Sequence, residues 1–121
     1  MAGAEIESDG SRSGLAPEVV VVASFLVHAG REEEAIAAFA PTIEQTHEES
    51  GCLSYALHRD ASTPNRLVLV ERWSSQADLD SHLTQPYVAR LGEVAGDLLV
   101  EPPVVNFCSP VPIGDPGKGV L

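Results

Sequence analysis

The sequence predicts an α+β fold in the order β-α-β-β-α-β, with an antiparallel sheet. Apolar, β-branched stretches predict four strands, over residues 18–28, 52–60, 66–74 and 104–108. Between them, apolar residues recur at helical spacing over residues 31–49 and 75–98. A short polar turn joins the second and third strands directly, as in a β-hairpin. This order is typical of an α+β domain in which two helical segments connect strands of one sheet.

The first strand and the first helix have the clearest signals. Residues 18–28 are apolar on both faces, which is typical of a central strand covered on both sides. After Gly30, three glutamates in the first turn and an apolar stripe predict the helix over residues 31–49. Pro41 is expected to kink this helix or to loosen one hydrogen bond. Gly51 is expected to end it.

The second helical segment also has start and stop signals. Ser75 and Asp78 have the spacing of a capping box that opens a short helix. Pro86 suits the first turn of a following helix, because its missing N–H has no partner there in any case. Pro102 and Pro103 end the segment before the last strand. The complete order βαββαβ is the ferredoxin-like arrangement.

The chain length and composition predict one globular domain with two terminal extensions. The chain has 121 residues, of which 44% are hydrophobic, and this is enough for a core without metal or disulfide cross-links. The domain is expected over residues 18–108. Residues 1–17 are predicted to be a flexible arm. Residues 109–121 are rich in proline and glycine but carry apolar side chains, which favours packing on a partner subunit.

The charge and the motifs of the sequence exclude several functions. The formal net charge is −11, from 18 acidic and 7 basic residues, so nucleic-acid binding is not expected. The sequence has no apolar run long enough for a membrane span and no signal-peptide pattern. It contains no CxxC or HExxH metal motif, and its two cysteines favour free thiols and a cytoplasmic location.

The apolar character of both strand faces predicts a homodimer. Val20, Val22 and Val68 alternate with Ala23 and Leu69 along the central strands, so apolar side chains point to both faces. The helices of one domain cover one face only. A second copy, packed sheet against sheet, is therefore predicted to cover the other face.

Several short motifs add a resemblance to a known family. They are Gly51-Cys52-Leu53-Ser54-Tyr55, Asp60 with Pro64-Asn65-Arg66, Glu71-Arg72-Trp73, and Asp80-Ser81-His82-Leu83 with Pro86. With the element order, they resemble the antibiotic biosynthesis monooxygenase domain family over residues 19–107. The resemblance implies a dimeric α+β barrel. It also implies a monooxygenase that needs no cofactor and acts on a small phenol, quinol or anthrone-like aromatic molecule.

The same resemblance implies a site in a cavity between the sheet and the helices. His58 and His82 match family histidines and are the predicted catalytic residues, since a neutral imidazole can take a phenolic proton. The predicted substrate-binding residues are Trp73, Tyr55, Phe25, Leu69 and Tyr87, and no metal ligand is predicted.

Each of the main candidates also has a structural alternative. Trp73 can be an anchor for the helix above it, and His58 can pair with an acidic side chain on an exposed strand face. His82 can be a buried histidine bonded to a backbone carbonyl. Glu49 is interpreted as part of a solvated helix face.

One departure from the family pattern keeps a second function open. The phenol-oxidising members carry an asparagine four residues before the tryptophan, where this chain has Leu69. This difference favours a non-oxidative small-molecule-binding or isomerase-type barrel as the alternative, because fold alone does not choose the reaction. Haem is not expected, since residues 87–91 offer no axial histidine. A filled cavity beside Trp73 would instead indicate a purely structural dimer.

Overall fold

The computed structural model describes residues 17–121. The arm predicted over residues 1–17 therefore lies, apart from Pro17, outside the described residues. In chain order the elements are β1 (Val19–Leu26), α1 (Glu32–Thr46), β2 (Cys52–Arg59), β3 (Arg66–Trp73), α2 (Gln76–Leu83), α3 (Pro86–Ala95), a 3₁₀ turn (Gly96–Leu98) and β4 (Val104–Cys108). The predicted α+β, ferredoxin-like order is confirmed, with the second helical segment interrupted before Pro86.

The four strands form an antiparallel sheet in the order β2-β3-β1-β4. β1 is central, and its Val22 lies opposite Val70 of β3 on one side and Asn106 of β4 on the other. Along β3, buried and half-buried side chains alternate without a break. The buried side chains belong to the face that the helices cover. Within residues 17–121, no helix has the length and apolar character needed to cross a membrane.

The face of the sheet away from the helices is apolar and has little cover. Val20, Val22 and Val70 are only half-buried there, and every residue of β4 is exposed. The C-terminal segment also presents apolar side chains to solvent, with Val111 71% and Ile113 75% exposed. These surfaces are where the predicted second copy would pack, and the homodimer stays a prediction.

The end of α1 differs from the prediction. The helix ends at Thr46, and Gly51 does not have the left-handed conformation of a helix-ending glycine, since Gly30 and Gly114 are the positive-φ glycines among the residues described. Gly51 instead allows a close approach: a Cβ at this position would lie 2.3 Å from Cγ of Asp78. The helix continues past Pro41 to its last turn.

The start of α2 confirms the predicted cap. The hydroxyl of Ser75 accepts a hydrogen bond of 3.1 Å from the backbone N–H of Asp78. In return, the Asp78 carboxylate accepts hydrogen bonds from the hydroxyls of Ser74 and Ser75. These two bonds, that of Ser74 above all, hold the pKa of Asp78 below its usual range. The carboxylate that crowds Gly51 is therefore held firmly in place.

Replacing Gly51 with alanine is expected to lower the free energy of unfolding by about 1–3 kcal/mol, because the new methyl group displaces Asp78 from its cap. Gly92→Ala is the matched control. It lies inside α3 with no atom within 4 Å of the new Cβ, and it is expected to raise stability by about 0.5–1 kcal/mol. Urea unfolding followed by circular dichroism measures both changes. Equal stability of the Gly51→Ala variant and the parent would contradict the close approach.

Candidate active site

A cavity of about 670 Å³ lies between the sheet and the helical segments that follow it. Its walls are formed by the buried faces of β1 and β3, by β4, by α2 and α3, and by the segment that leads to β4. Most lining side chains are apolar. The polar side chains that reach the cavity are Tyr55, Glu71, His82 and Glu101. An apolar cavity of this size with a few convergent polar groups is the usual form of a small-molecule site.

Local sequence patterns aim these polar groups inward. In β3, the period of two puts Leu69 and Glu71 on the face that the helices cover. In α2, Leu79 and His82 are three residues apart and are both buried, so they share one face of the helix. The histidine is thereby held over the sheet by the same packing that buries its apolar neighbour.

His82 is almost completely buried, with 2% of its surface exposed. Its Nδ1 lies 2.9 Å from Oε2 of Glu49. Because a carboxylate only accepts hydrogen bonds, Nδ1 is the donor and carries the proton. The other ring nitrogen, Nε2, is then an unprotonated acceptor in neutral His82. This is the arrangement that a general base needs.

Glu49 holds His82 and Tyr87 together. Besides the bond from His82, its Oε2 accepts a hydrogen bond from the Tyr87 hydroxyl. Burial and this bond raise the pKa of Tyr87 to about 12, so Tyr87 remains a donor. The interpretation of Glu49 as a solvated helix residue was wrong. A usable signal existed in the sequence, because Glu49 stands at helical spacing from Thr42 and Thr46, which are both buried, although the helix itself ends at Thr46.

Glu71 is the second carboxylate of the site and, unlike the half-buried Glu49, it is buried. Its Oε1 accepts a hydrogen bond of 2.8 Å from the indole Nε1–H of Trp73. Burial is the main cause that raises the pKa of Glu71 above its usual value. Burial also raises the pKa of the Tyr55 hydroxyl, and the nearby Glu71 adds to this effect. The two groups place a carboxylate and a protonated phenol on the cavity wall.

Trp73 lies behind the cavity wall. It is fully buried, and its ring packs against that of His82, with the two centroids 4.5 Å apart. The Tyr55 ring meets His82 edge-on at a centroid distance of 5.3 Å. Trp73 therefore supports His82 from behind and holds Glu71 by its hydrogen bond. This is the anchoring role that the sequence left open as the structural alternative.

The structure brings most of the predicted site residues together, with one exception. Phe25, Tyr55, Leu69 and His82 line the cavity. Trp73 and Tyr87 are not part of the lining, but Trp73 packs on His82 and Tyr87 is linked to His82 through Glu49. Their roles in binding and catalysis stay predictions. No group of three or more His, Cys, Asp or Glu side chains in residues 17–121 is arranged to hold a metal ion.

His58 is the exception, since it lies on the opposite face of the sheet. It is exposed, it pairs with Val68 of β3, and its Nδ1 lies 3.3 Å from the carbonyl oxygen of Val68. The physical reason is the period of two, because Tyr55 and His58 are three residues apart and must point to opposite faces. His58 and His82 therefore do not share a site within one subunit.

The sheet, the helices on one of its faces and the cavity between them define an α+β domain of the ferredoxin-like class. The comparison with protein families is more specific. The chain belongs to the antibiotic biosynthesis monooxygenase family, whose model matches residues 18–93. This confirms the resemblance on which the sequence-based prediction of the site was built.

Relatives and solved structures agree with this family. The Synechocystis protein sll1783 is 34% identical over 89 residues, which cover 74% of this chain and 60% of that protein. The Escherichia coli protein named "Probable quinol monooxygenase YgiN" is 33% identical over 70 residues, covering 50% of this chain and 67% of that protein. The structure of Rv0793 from Mycobacterium tuberculosis is 31% identical, with a TM-score of 0.74, and covers 81% of this chain and 99% of that one.

Proposed function

We propose that this chain is a monooxygenase that uses no cofactor and oxidises small hydroxylated aromatic molecules of the phenol, quinol or anthrone type. The observation that carries the proposal is the buried His82, whose Nδ1 is tied to Glu49 beside an apolar cavity. The family and the name of the YgiN relative support the same class of reaction.

The Glu49–His82 pair supports a general-base role for His82. Glu49 accepts a hydrogen bond from the Nδ1–H of His82 and so selects the tautomer in which Nε2 can take a proton from a ligand hydroxyl. The carboxylate also stabilises the imidazolium that forms after proton transfer. Trp73 and Tyr55 pack on the ring and limit its rotation. In this proposal His58 has no catalytic role, because it lies on the other face of the sheet.

The proposed reaction needs no external reductant. His82 takes the hydroxyl proton, and the resulting electron-rich ring passes one electron to dioxygen. The resulting ring radical and superoxide combine to a ring hydroperoxide, which loses water and leaves a carbonyl group on the ring. For a quinol, one substrate and one dioxygen give one hydroxyquinone and one water, so the ring supplies all four electrons that reduce dioxygen. The apolar cavity wall suits both the ring and dioxygen, which is itself apolar.

Oxygen dependence tests the proposal directly. Quinols and anthrones are incubated with the protein in air and under strict exclusion of oxygen, and product is followed by mass spectrometry. We expect turnover in air only, with one atom of isotopically labelled dioxygen in each product molecule. Equal loss of substrate without oxygen would contradict the proposal, and so would a product that carries no oxygen atom from dioxygen.

Leu69 favours a second candidate function. It lines the cavity where the phenol-oxidising members of the family carry an asparagine amide. Without that amide, the cavity has one polar group fewer to hold a reacting oxygen. A non-oxidative binding or isomerase-type barrel is therefore the alternative, and oxygen-independent turnover in the experiment above would support it.

The predictions of a homodimer and of a cytoplasmic location belong to the same proposal. The half-buried apolar face of the sheet and the exposed apolar side chains of residues 104–121 support the homodimer. Sedimentation at low micromolar concentration is expected to give the mass of two chains. A monomer under these conditions would contradict the dimer but not the chemistry of the cavity.

A further inference from the structure

The cavity lining carries two acidic side chains and, among the residues described, no lysine or arginine. The two acidic residues are Glu71 and Glu101. Four arginines are instead held in ion pairs outside it, namely Arg31, Arg59, Arg66 and Arg72. An anionic ligand in this cavity would lose its hydration and meet no lysine or arginine in return. The charge of the lining thus disfavours carboxylates and phosphates.

Glu71 has a hydrogen-bonding capacity that the protein uses only in part. Its Oε1 accepts from Trp73, while within residues 17–121 no group donates to Oε2. The side chain is 6% exposed and lines the cavity. A carboxylate can accept several hydrogen bonds, and Oε2 is not among the fully enclosed atoms of the described residues, so it is free to accept one from the cavity. A hydroxyl group on a ligand in the cavity would supply the missing donor.

We infer that Glu71 accepts a hydrogen bond from a ring hydroxyl of the ligand, and that it makes the cavity select uncharged hydroxylated aromatics over aromatic acids of the same size. The inference rests on the proposed function for the aromatic class of the ligand. It adds Glu71 as a residue that determines specificity, because its carboxylate accepts a hydrogen bond from a ligand hydroxyl and repels an anionic ligand. Glu71 thereby has a role distinct from that of His82, which takes the proton.

Binding without turnover tests the inference on the unmodified protein. A naphthol, its methyl ether and the corresponding naphthoate have the same ring and differ in donor and charge. Calorimetry near neutral pH and without oxygen is expected to show the naphthol binding about 10-fold more tightly than the ether, since a hydrogen bond to a charged group is lost. The naphthoate is expected to bind more weakly than the ether. A naphthoate that binds as tightly as the naphthol, or a naphthol that does not bind, would overturn the inference.

Trp73 gives a second readout on the unmodified protein. It is the single tryptophan of the chain, and its indole N–H donates to Glu71. The one indole N–H signal in an NMR spectrum should shift more with the naphthol than with its ether. Equal shifts for the two ligands would argue that the hydroxyl does not reach Glu71.

Glu71→Gln separates specificity from packing. Glutamine keeps an oxygen for Trp73, but it carries no charge and offers an N–H to the cavity. We expect naphthol affinity to fall about 10-fold while naphthoate affinity rises. Glu93→Gln, at an exposed position of α3 outside the cavity lining, is the matched control and should change both affinities little. Equal changes for both ligands in Glu71→Gln would overturn the inference.

The inference and the proposed function can fail separately. If the binding series is as expected but no oxygen-dependent turnover is found, the result counts against the monooxygenase activity and not against the role of Glu71.

Discussion

The His82→Gln variant is expected to lose turnover by about 10²–10⁴-fold, the usual contribution of a general base. Glutamine can still donate a hydrogen bond to Glu49, but it has no basic nitrogen to take the proton of a ligand hydroxyl. The substitution therefore removes the base while it keeps a hydrogen-bond donor for the half-buried carboxylate of Glu49. Initial rates of oxygen uptake with a quinol that the parent oxidises measure the effect.

His58→Gln is the matched comparison for this variant. It changes the same residue type at an exposed position on the other face of the sheet, and it should leave the rate near that of the parent. Binding of a non-reactive ligand, measured by calorimetry, should stay similar in both variants. The opposite pattern, with His58→Gln inactive and His82→Gln active, would move the base to the other face of the sheet.

Trp73→Ala is expected to lower the free energy of unfolding by about 3–5 kcal/mol, the usual cost of removing a large buried aromatic side chain. Trp73 has 0% exposure and packs against Tyr55 and His82, so its loss leaves a cavity among rigid rings. It also leaves Oε1 of the buried Glu71 without its donor. Urea unfolding followed by far-ultraviolet circular dichroism is the suitable measurement, because the variant has no tryptophan to report.

Two further variants separate the contributions of Trp73. Trp73→Phe keeps a ring but removes the indole donor, and an unpaired buried acceptor typically costs about 1–3 kcal/mol. Leu53→Ala, on the exposed side of β2, should change stability by less than about 0.5 kcal/mol. If Trp73→Ala proved as stable as Leu53→Ala, the anchoring role of the indole would be wrong.

Much of the fold could be predicted because its signals are local. The alternation of Leu67, Leu69, Glu71 and Trp73 predicts one buried face of β3, and all four are buried. The capping pair Ser75 and Asp78 and the proline at the start of α3 also occur as predicted. Each of these features depends on residues a few positions apart, so spacing alone is sufficient.

The candidate site could be predicted only in part, because its central contacts join distant parts of the chain. The Glu49–His82 bond links positions 33 residues apart, and the Glu49–Tyr87 bond links positions 38 apart. In the sequence, Glu49 is one of several glutamates near the end of a helix. Likewise, Gly51 looked like a helix stop, whereas the structure shows that it makes room for Asp78.

By itself, the sequence determined the order of the elements, the buried faces of the strands and the family, because period, caps and motifs are written along the chain. The tertiary structure alone decided which titratable groups meet. It placed His82 on Glu49, put Glu71 on the wall of a cavity whose described lining has no lysine or arginine, and turned His58 to the other face. The physical reason is that hydrogen bonds and desolvation depend on distances in space, which the packing of helices on the sheet sets.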